Sequence, residues 1–246
     1  MDDVTAAKLL INLLDLTSLN EDDNNARIEK FCQRAITPYG NVAAVCVYPR
    51  FVPTARDALK GSGVKLATVV NFPHGGTNFE QMRQDIKTAL AQGADEIDAV
   101  LPYKHFLSGD IETCNAFFNA VKAELNPKKT SLKVIIESGA FPHASLIADA
   151  TRFCIDNGAS FIKTSTGKTD VSATPEAANI ILETIASGRR NVGFKASGGI
   201  KTTADAKQYL TLAFGIMGYK WVSPKNFRIG ASSLLDSLLN TINQGY

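Results

Sequence analysis

Short apolar runs recur along the chain, each closed by a polar residue, a proline or a glycine, and most are followed by a stretch with helical spacing. The first run, at 13–17, is weak and follows an opening helix expected over 4–11. The second, 42–48, stops at Pro49, and the third, 65–71, stops at Pro73 and the Gly75-Gly76 pair. The fourth, 96–101, ends at Pro102, and the fifth, 132–137, at Gly139. The sixth is Phe161-Ile162-Lys163, the seventh Val192-Gly193-Phe194-Lys195, and a short eighth covers 226–230. Between them, segments 79–92, 144–157, 175–186 and 204–212 carry apolar residues three and four apart, as one buried helix face requires. Thr174-Pro175 predicts a capped start with proline at the first helical position, and Thr202 or Thr203 caps the segment that begins at Ala204. Gln92-Gly93-Ala94 and Asn157-Gly158-Ala159 are stop signals. Strand starts recur at intervals of roughly 22 to 36 residues, the size of one βα unit. Eight such units predict an α/β fold: a single closed (β/α)8 TIM barrel over residues 1–246 with an extra N-terminal helix.

A length of 246 residues suits one barrel, so no linker or second domain is expected. The net charge of +2 gives no basis for nucleic acid or a membrane surface as partner. The start, Met-Asp-Asp-Val-Thr, lacks a basic segment before an apolar core, which predicts no secretory leader, and no apolar run is long enough to span a bilayer. Cys32, Cys46, Cys114 and Cys154 are dispersed without a CxxC pair, so neither zinc nor a disulfide framework is expected. A reduced, cytoplasmic protein is the simplest expectation.

Two of the runs end on a lysine, which is costly to bury unless something neutralises it. In barrels of this kind the active site lies at the C-terminal ends of the strands. The polar residues at those ends are Asp15, Cys46, Asn71, Asp98, Glu137, Lys163 and Lys195. Alternation along each strand sends Ile162 and Phe194 towards the helices, so Lys163 and Lys195 point to the barrel axis, as does Asp98 between Ile97 and Ala99. Lys133, inward but low on its strand, is expected to be a structural partner only. A free lysine has a pKa of about 10.4, so holding one neutral near pH 7 costs roughly 4–5 kcal/mol. A second ammonium about 4 Å away, at an effective dielectric near 20, supplies roughly 4 kcal/mol of repulsion. Desolvation pushes the same way and Asp98 pushes back. A working amine is therefore within reach, and these sums leave open which lysine provides it. The bland alternative for either lysine is an internal ion pair with Asp98 or Glu137.

The last two loops have the form of a phosphate site. The seventh reads Ser197-Gly198-Gly199-Ile200-Lys201, and the eighth reads Gly230-Ala231-Ser232-Ser233 before a helix over 234–242. Glycines let backbone N–H groups approach an anion, and a serine-capped helix start adds hydroxyls and a positive dipole end. Gly167-Lys168 supplies a third edge.

The chain resembles the 2-deoxyribose-5-phosphate aldolases, class I aldolases of the DeoC type. The likeness runs end to end through Leu14-Asp15-Leu16-Thr17, Cys46-Val47-Tyr48-Pro49-Arg50-Phe51, Asn71-Phe72-Pro73-His74-Gly75, Gly93-Ala94-Asp95-Glu96-Ile97-Asp98, Lys133-Val134-Ile135-Ile136-Glu137, Phe161 to Gly167, and Gly230-Ala231-Ser232-Ser233. The resemblance implies that Lys163 is the Schiff-base lysine, that Lys195 tunes it, and that Asp98 moves protons. It implies a sugar phosphate and acetaldehyde as the small-molecule partners and no metal or organic cofactor. Asp15, Thr17, Cys46 and Thr166 are then second-rank substrate or water contacts. Gly167, Lys168, Gly198, Gly199, Lys201, Gly230, Ser232 and Ser233 are then the phosphate contacts. Two positions depart from the family pattern: Ala196-Ser197 replaces a common proline and alanine, and Lys201 replaces a common arginine. Tyr246 is a candidate proton carrier, with a frayed terminus as the alternative. Cys46 reads as a small buried hydrophobe sooner than as a catalytic thiol. His74, His105 and His143 lack ligand spacing. Relatives are monomers, dimers or larger assemblies, so a homodimer is one expected state. Three rivals stay open: a Schiff-base aldolase for another phosphorylated sugar or keto acid, a metal-assisted lyase or isomerase, and a phosphate-binding barrel without turnover.

Overall fold

The computed structural model describes residues 1–245. Eight parallel strands close into a barrel: β1 (Leu14–Ser18), β2 (Ala44–Val47), β3 (Lys65–Val70), β4 (Glu96–Val100), β5 (Ser131–Ile135), β6 (Phe161–Lys163), β7 (Gly193–Ser197) and β8 (Phe227–Ala231). Each strand pairs with its sequence neighbour, and β8 pairs with β1 to complete the ring. The expected (β/α)8 barrel is therefore the observed one. A helix over Asp3–Asn12, capped by the Asp2 side chain on Thr5 N, precedes the barrel and packs against the last helix, Leu234–Gln244.

The capping signals act as expected. Thr174 accepts from Ala177 N at the start of Pro175–Ser187. Thr202, not Thr203, caps Thr203–Met217 through a reciprocal box with Asp205. That helix continues past 212, where the sequence pattern ends, because Ala213, Phe214, Ile216 and Met217 form an almost unbroken apolar run with no readable period. Asn25–Gln33 and Val52–Ala58 are short helices with two buried residues each, too few to print a period on the sequence.

The main apolar core lies between the outside of the barrel and the helices. A separate small apolar group, Leu19, Cys46, Ala67 and Val69, packs together apart from that core. Much of the remaining interior is charged: Asp15, Glu96, Asp98, Lys133, Lys163, Lys195 and Arg228 are all buried. A barrel interior is normally filled by layers of branched apolar side chains. Here charged residues occupy adjacent register positions, with Lys163 beside Lys195, Lys195 beside Arg228, and Asp98 beside Lys133.

Candidate active site

Lys163 stands at the end of β6 with its backbone held from both sides. Its carbonyl accepts from Ile136 N, and the next residue, Thr164, donates its N–H to Lys195 O. The Lys163 ammonium donates to Asp98 Oδ2 at 2.9 Å, and Lys195 donates to the same oxygen at 2.8 Å. Both lysines thus meet over one carboxylate, as the alternation along β4, β6 and β7 predicts. Lys195 also donates to Asp15 Oδ2 at 2.6 Å. Lys133 donates to Asp98 Oδ1 at 2.8 Å and to Glu96 Oε2 at 2.5 Å. Arg228 donates to Asp15 Oδ1 at 2.5 Å and to Glu96 Oε1 at 2.9 Å.

These contacts separate the two lysines. Burial, assisted by the Lys195 charge, lowers the Lys163 pKa below the ordinary lysine value, and Asp98 only partly opposes this. Burial also works against a charge on Lys195, but Asp15 and Asp98 overcome it and hold that ammonium protonated well above the usual range. Asp98 feels the same burial penalty, and Lys133, Lys163 and Lys195 together overcome it, keeping the carboxyl well below the usual carboxylate range. Of the two lysines, Lys163 is therefore the one whose surroundings favour loss of the proton.

A cavity of about 230 Å³ sits above these groups at the C-terminal ends of the strands. Of the buried charged residues described, Lys163 alone lines it. Gly198-Gly199 and Lys201 border it from the β7 loop, Gly230, Ser232 and Ser233 from the β8 loop, and Thr166, Gly167 and Lys168 from the β6 loop. Thr17 adds a wall from β1, its hydroxyl turned back to Asp15 O. Lys168 Nζ donates to Leu19 O at 2.8 Å, so the β6 and β1 loops are tied together across the rim. Ser233 starts the last helix without a side-chain cap, which leaves its hydroxyl exposed on the cavity side. The expected serine cap is corrected accordingly.

Gly198 adopts φ +86°, and a Cβ there would lie 2.6 Å from Ser172 Cβ and 3.1 Å from Gly167 Cα. Only glycine lets the β6 and β7 loops approach so closely. Gly230 serves a different purpose, since its missing Cβ makes room for the Lys195 stem, whose Cε would lie 2.8 Å away. Gly230→Ala is expected to displace the Lys195 ammonium and lower turnover by about 10²-fold, the scale of a misplaced catalytic group, with the fold retained. Steady-state kinetics beside a circular dichroism spectrum checks this.

Two of the residues singled out for substrate contact do not reach the cavity. Asp15 is fully buried against Lys195 and Arg228, an ion-pair partner in place of a substrate contact. Cys46 is fully buried, with its thiol pushed up to about 11 by burial, so it stays protonated at neutral pH. Glu137, expected as an alternative partner for a lysine, instead accepts from Thr166 Oγ1 at 2.5 Å and braces the β6 loop. Asn71, at φ 54°, spends its amide on Gly76 O and Val100 O. The proton-carrier role considered for Tyr246 lies outside the described residues. Lys133, expected to be a structural partner only, is fully buried and pairs with Asp98 and Glu96. Arg228 and Glu96 escaped the sequence reading altogether; the signal was there in strand alternation, since Arg228 follows outward Phe227 and Glu96 lies two residues before Asp98.

A family model described as DeoC/LacD family aldolase matches residues 9–239. A crystal structure of a candidate deoxyribose-phosphate aldolase from Coccidioides immitis is similar over 96% of this chain and 86% of that one, at 27% identity and a TM-score of 0.83. A deoxyribose-phosphate aldolase from Aeropyrum pernix, described as tetrameric, is similar in fold over 100% of this chain and 98% of its own, at 21% identity and a TM-score of 0.73. An aldolase designated QR15 is similar over 96% of this chain and 97% of its own, at 25% identity and a TM-score of 0.81.

Proposed function

The chain belongs to the DeoC/LacD family of aldolases, and we propose that within it the protein is a class I aldolase, acting through the Lys163 amine, that reversibly cleaves 2-deoxy-D-ribose 5-phosphate to D-glyceraldehyde 3-phosphate and acetaldehyde. The observation that carries this reading is that, among the described residues, the one buried cation reaching the cavity is also the lysine whose pKa is lowered. Neutral Lys163 adds to the sugar carbonyl carbon, and loss of water gives an iminium. The iminium draws the electrons of the C2–C3 bond, which breaks as the C3 hydroxyl gives up its proton, releasing glyceraldehyde 3-phosphate and leaving an enamine of acetaldehyde. Protonation of the enamine and hydrolysis return the amine. Asp98, 2.9 Å from Lys163 Nζ and ionised at rest, relays protons to and from the substrate during dehydration and cleavage. Lys195 stays charged, opposing protonation of Lys163.

The glycine-rich β7 and β8 loops, with Lys201, Lys168 and the start of the last helix, supply backbone donors and positive charge for the 5-phosphate at the opposite side of the cavity. Lys201 offers a point charge where an arginine would offer a fork. No step calls for a metal or organic cofactor. The reaction belongs to deoxyribonucleoside breakdown, and the four free cysteines accord with a reducing, cytoplasmic setting in which one barrel is the whole catalytic unit.

Trapping tests the reading. The protein is incubated with acetaldehyde, reduced with borohydride, digested and examined by mass spectrometry. The expected result is an ethyl adduct confined to Lys163 and absent from Lys163→Leu. An adduct on Lys195 would exchange the two roles, and a folded protein with no adduct would sink the Schiff-base mechanism. Cleavage of deoxyribose 5-phosphate, read as acetaldehyde release, tests the substrate.

A further inference from the structure

The buried charges inside the barrel are arranged as a closed circuit. Arg228 bonds Asp15 and Glu96, at 2.5 and 2.9 Å. From Asp15 the circuit continues to Lys195 at 2.6 Å and on to Asp98 at 2.8 Å. From Asp98 it passes to Lys133 at 2.8 Å and back to Glu96 at 2.5 Å. Cations and carboxylates alternate throughout: Arg228, Lys195 and Lys133 against Asp15, Asp98 and Glu96. The circuit is therefore neutral by itself. Lys163 is attached to it at one point only, Asp98 Oδ2, as a fourth cation with no carboxylate of its own.

We infer that Arg228 and Glu96, at the end of the barrel away from the cavity, are positioning residues that keep Lys163 a neutral amine by closing this circuit and so engaging Asp98 with Lys133 and Lys195. Glu96 and Arg228 line a surface cavity at the strand starts together with Lys65, Ser131 and Phe161, far along the barrel from the catalytic mouth. The Arg228 guanidinium also lies over the Phe161 ring, 5.6 Å from its centroid. Their influence passes through ion-pair partners. Without Arg228, Glu96 is left to Lys133 and Asp15 to Lys195, which frees the Asp98 charge for Lys163. Without Glu96, Lys133 depends on Asp98 more heavily and Lys163 less. The other groups facing the Lys163 amine are Asp98 from β4, Lys195 from β7 and the uncharged Cys46 thiol from β2, with Glu137 from the end of β5 engaged by Thr166. A buried group left with a surplus of like charge gives up its proton before its partners do.

The inference rests on the Schiff-base reading, and the test separates the two. The rate of reductive ethylation of Lys163 by acetaldehyde and cyanoborohydride is followed against pH in the full chain. If the unmodified protein forms no Lys163 adduct, the Schiff-base reading has failed. If it does, Arg228→Gln is expected to move the midpoint up by about one pH unit or more, and Glu96→Gln to move it down. The variant carrying both changes restores a neutral circuit of Lys133, Lys195, Asp15 and Asp98, and its midpoint is expected to return to that of the unmodified protein. A purely structural role would leave the midpoint alone or make the double variant worse than either single one, and either result overturns the inference. Where one single variant fails to fold, the other reads the opposite sign. If only the double variant folds, an unmoved midpoint supports the circuit and a moved one overturns it. If none of the three folds, the circuit is a scaffold and the inference falls.

Discussion

Asp98→Asn is expected to lower turnover by about 10²- to 10⁴-fold, the range for loss of a positioned proton-transfer group. It is also expected to cost about 3–5 kcal/mol of stability, as when one member of a buried ion pair is removed. Both effects come from the same two oxygens. Oδ2 accepts from Lys163 and Lys195, and Oδ1 accepts from Lys133. The asparagine carbonyl can still accept at one position, but the amide nitrogen presents donors to an ammonium at the other. Three lysines then share Asp15 and Glu96, which Arg228 already occupies. Lys163 in this variant sheds its proton more readily, yet no carboxylate remains beside it to receive and return one. Turnover and the urea midpoint of unfolding, measured on the same preparation, check the two parts separately. A variant that keeps turnover within tenfold would remove Asp98 from the chemistry, and a midpoint unchanged in urea would remove it from the scaffold.

The barrel was legible because each strand is punctuated and each βα unit repeats the same grammar of cap, apolar stripe and glycine stop. Thr174-Pro175 and Asn157-Gly158 act locally, so their meaning survives without knowledge of the fold. The inward direction of Lys163, Lys195 and Asp98 followed from alternation alone. The site was not extended to Arg228 and Glu96 because neither sits at the C-terminal end of its strand, and depth inside a barrel depends on register around the whole ring. Lys195 and Arg228 are register partners 33 positions apart, while Arg228 and Asp15 meet across the closure of β8 on β1. That closure is a property of eight strands together, absent from any one of them. Asp15 shows the same limit in reverse, since its place at the end of an apolar run suggested the mouth, whereas two cations below draw it away from the cavity. Which lysine has the lowered pKa was hidden for a related reason. Lys163 and Lys195 end runs of the same form, and the carboxylate that sets them apart is Asp15, a residue 180 positions from Lys195.

Lys195→Met is expected to lower turnover near pH 7 by up to about 10³-fold and to recover it, roughly tenfold per pH unit, as the solution is made more alkaline. In the unmodified protein, burial and the Lys195 charge both lower the Lys163 pKa, against Asp98. The active form is the neutral amine, so turnover rises as pH passes upward through the Lys163 pKa, and a lowered value moves that rise to lower pH. Lys195 is shifted the other way, held protonated by Asp15 and Asp98, so it keeps its charge across the whole rise and does not end it. Methionine fills the space of the stem that Gly230 accommodates but carries no charge. The charge of Asp98 is then divided between Lys133 and Lys163 alone, and protonation of Lys163 becomes favourable again. A lysine returned fully to a pKa of about 10.4 is neutral in only about one molecule in 2,500 at pH 7, which is the upper limit of the loss, since burial still acts on Lys163. The check is kcat measured between about pH 6 and pH 10 for both proteins, with the adduct on Lys163 quantified at each end. Profiles that rise at the same pH would mean that burial alone neutralises Lys163, and that Lys195 serves only to hold Asp15 and Asp98 in place. A profile displaced to higher pH, with the alkaline limb approaching the unmodified rate, would assign the charge state of the nucleophile to its neighbour across one shared oxygen.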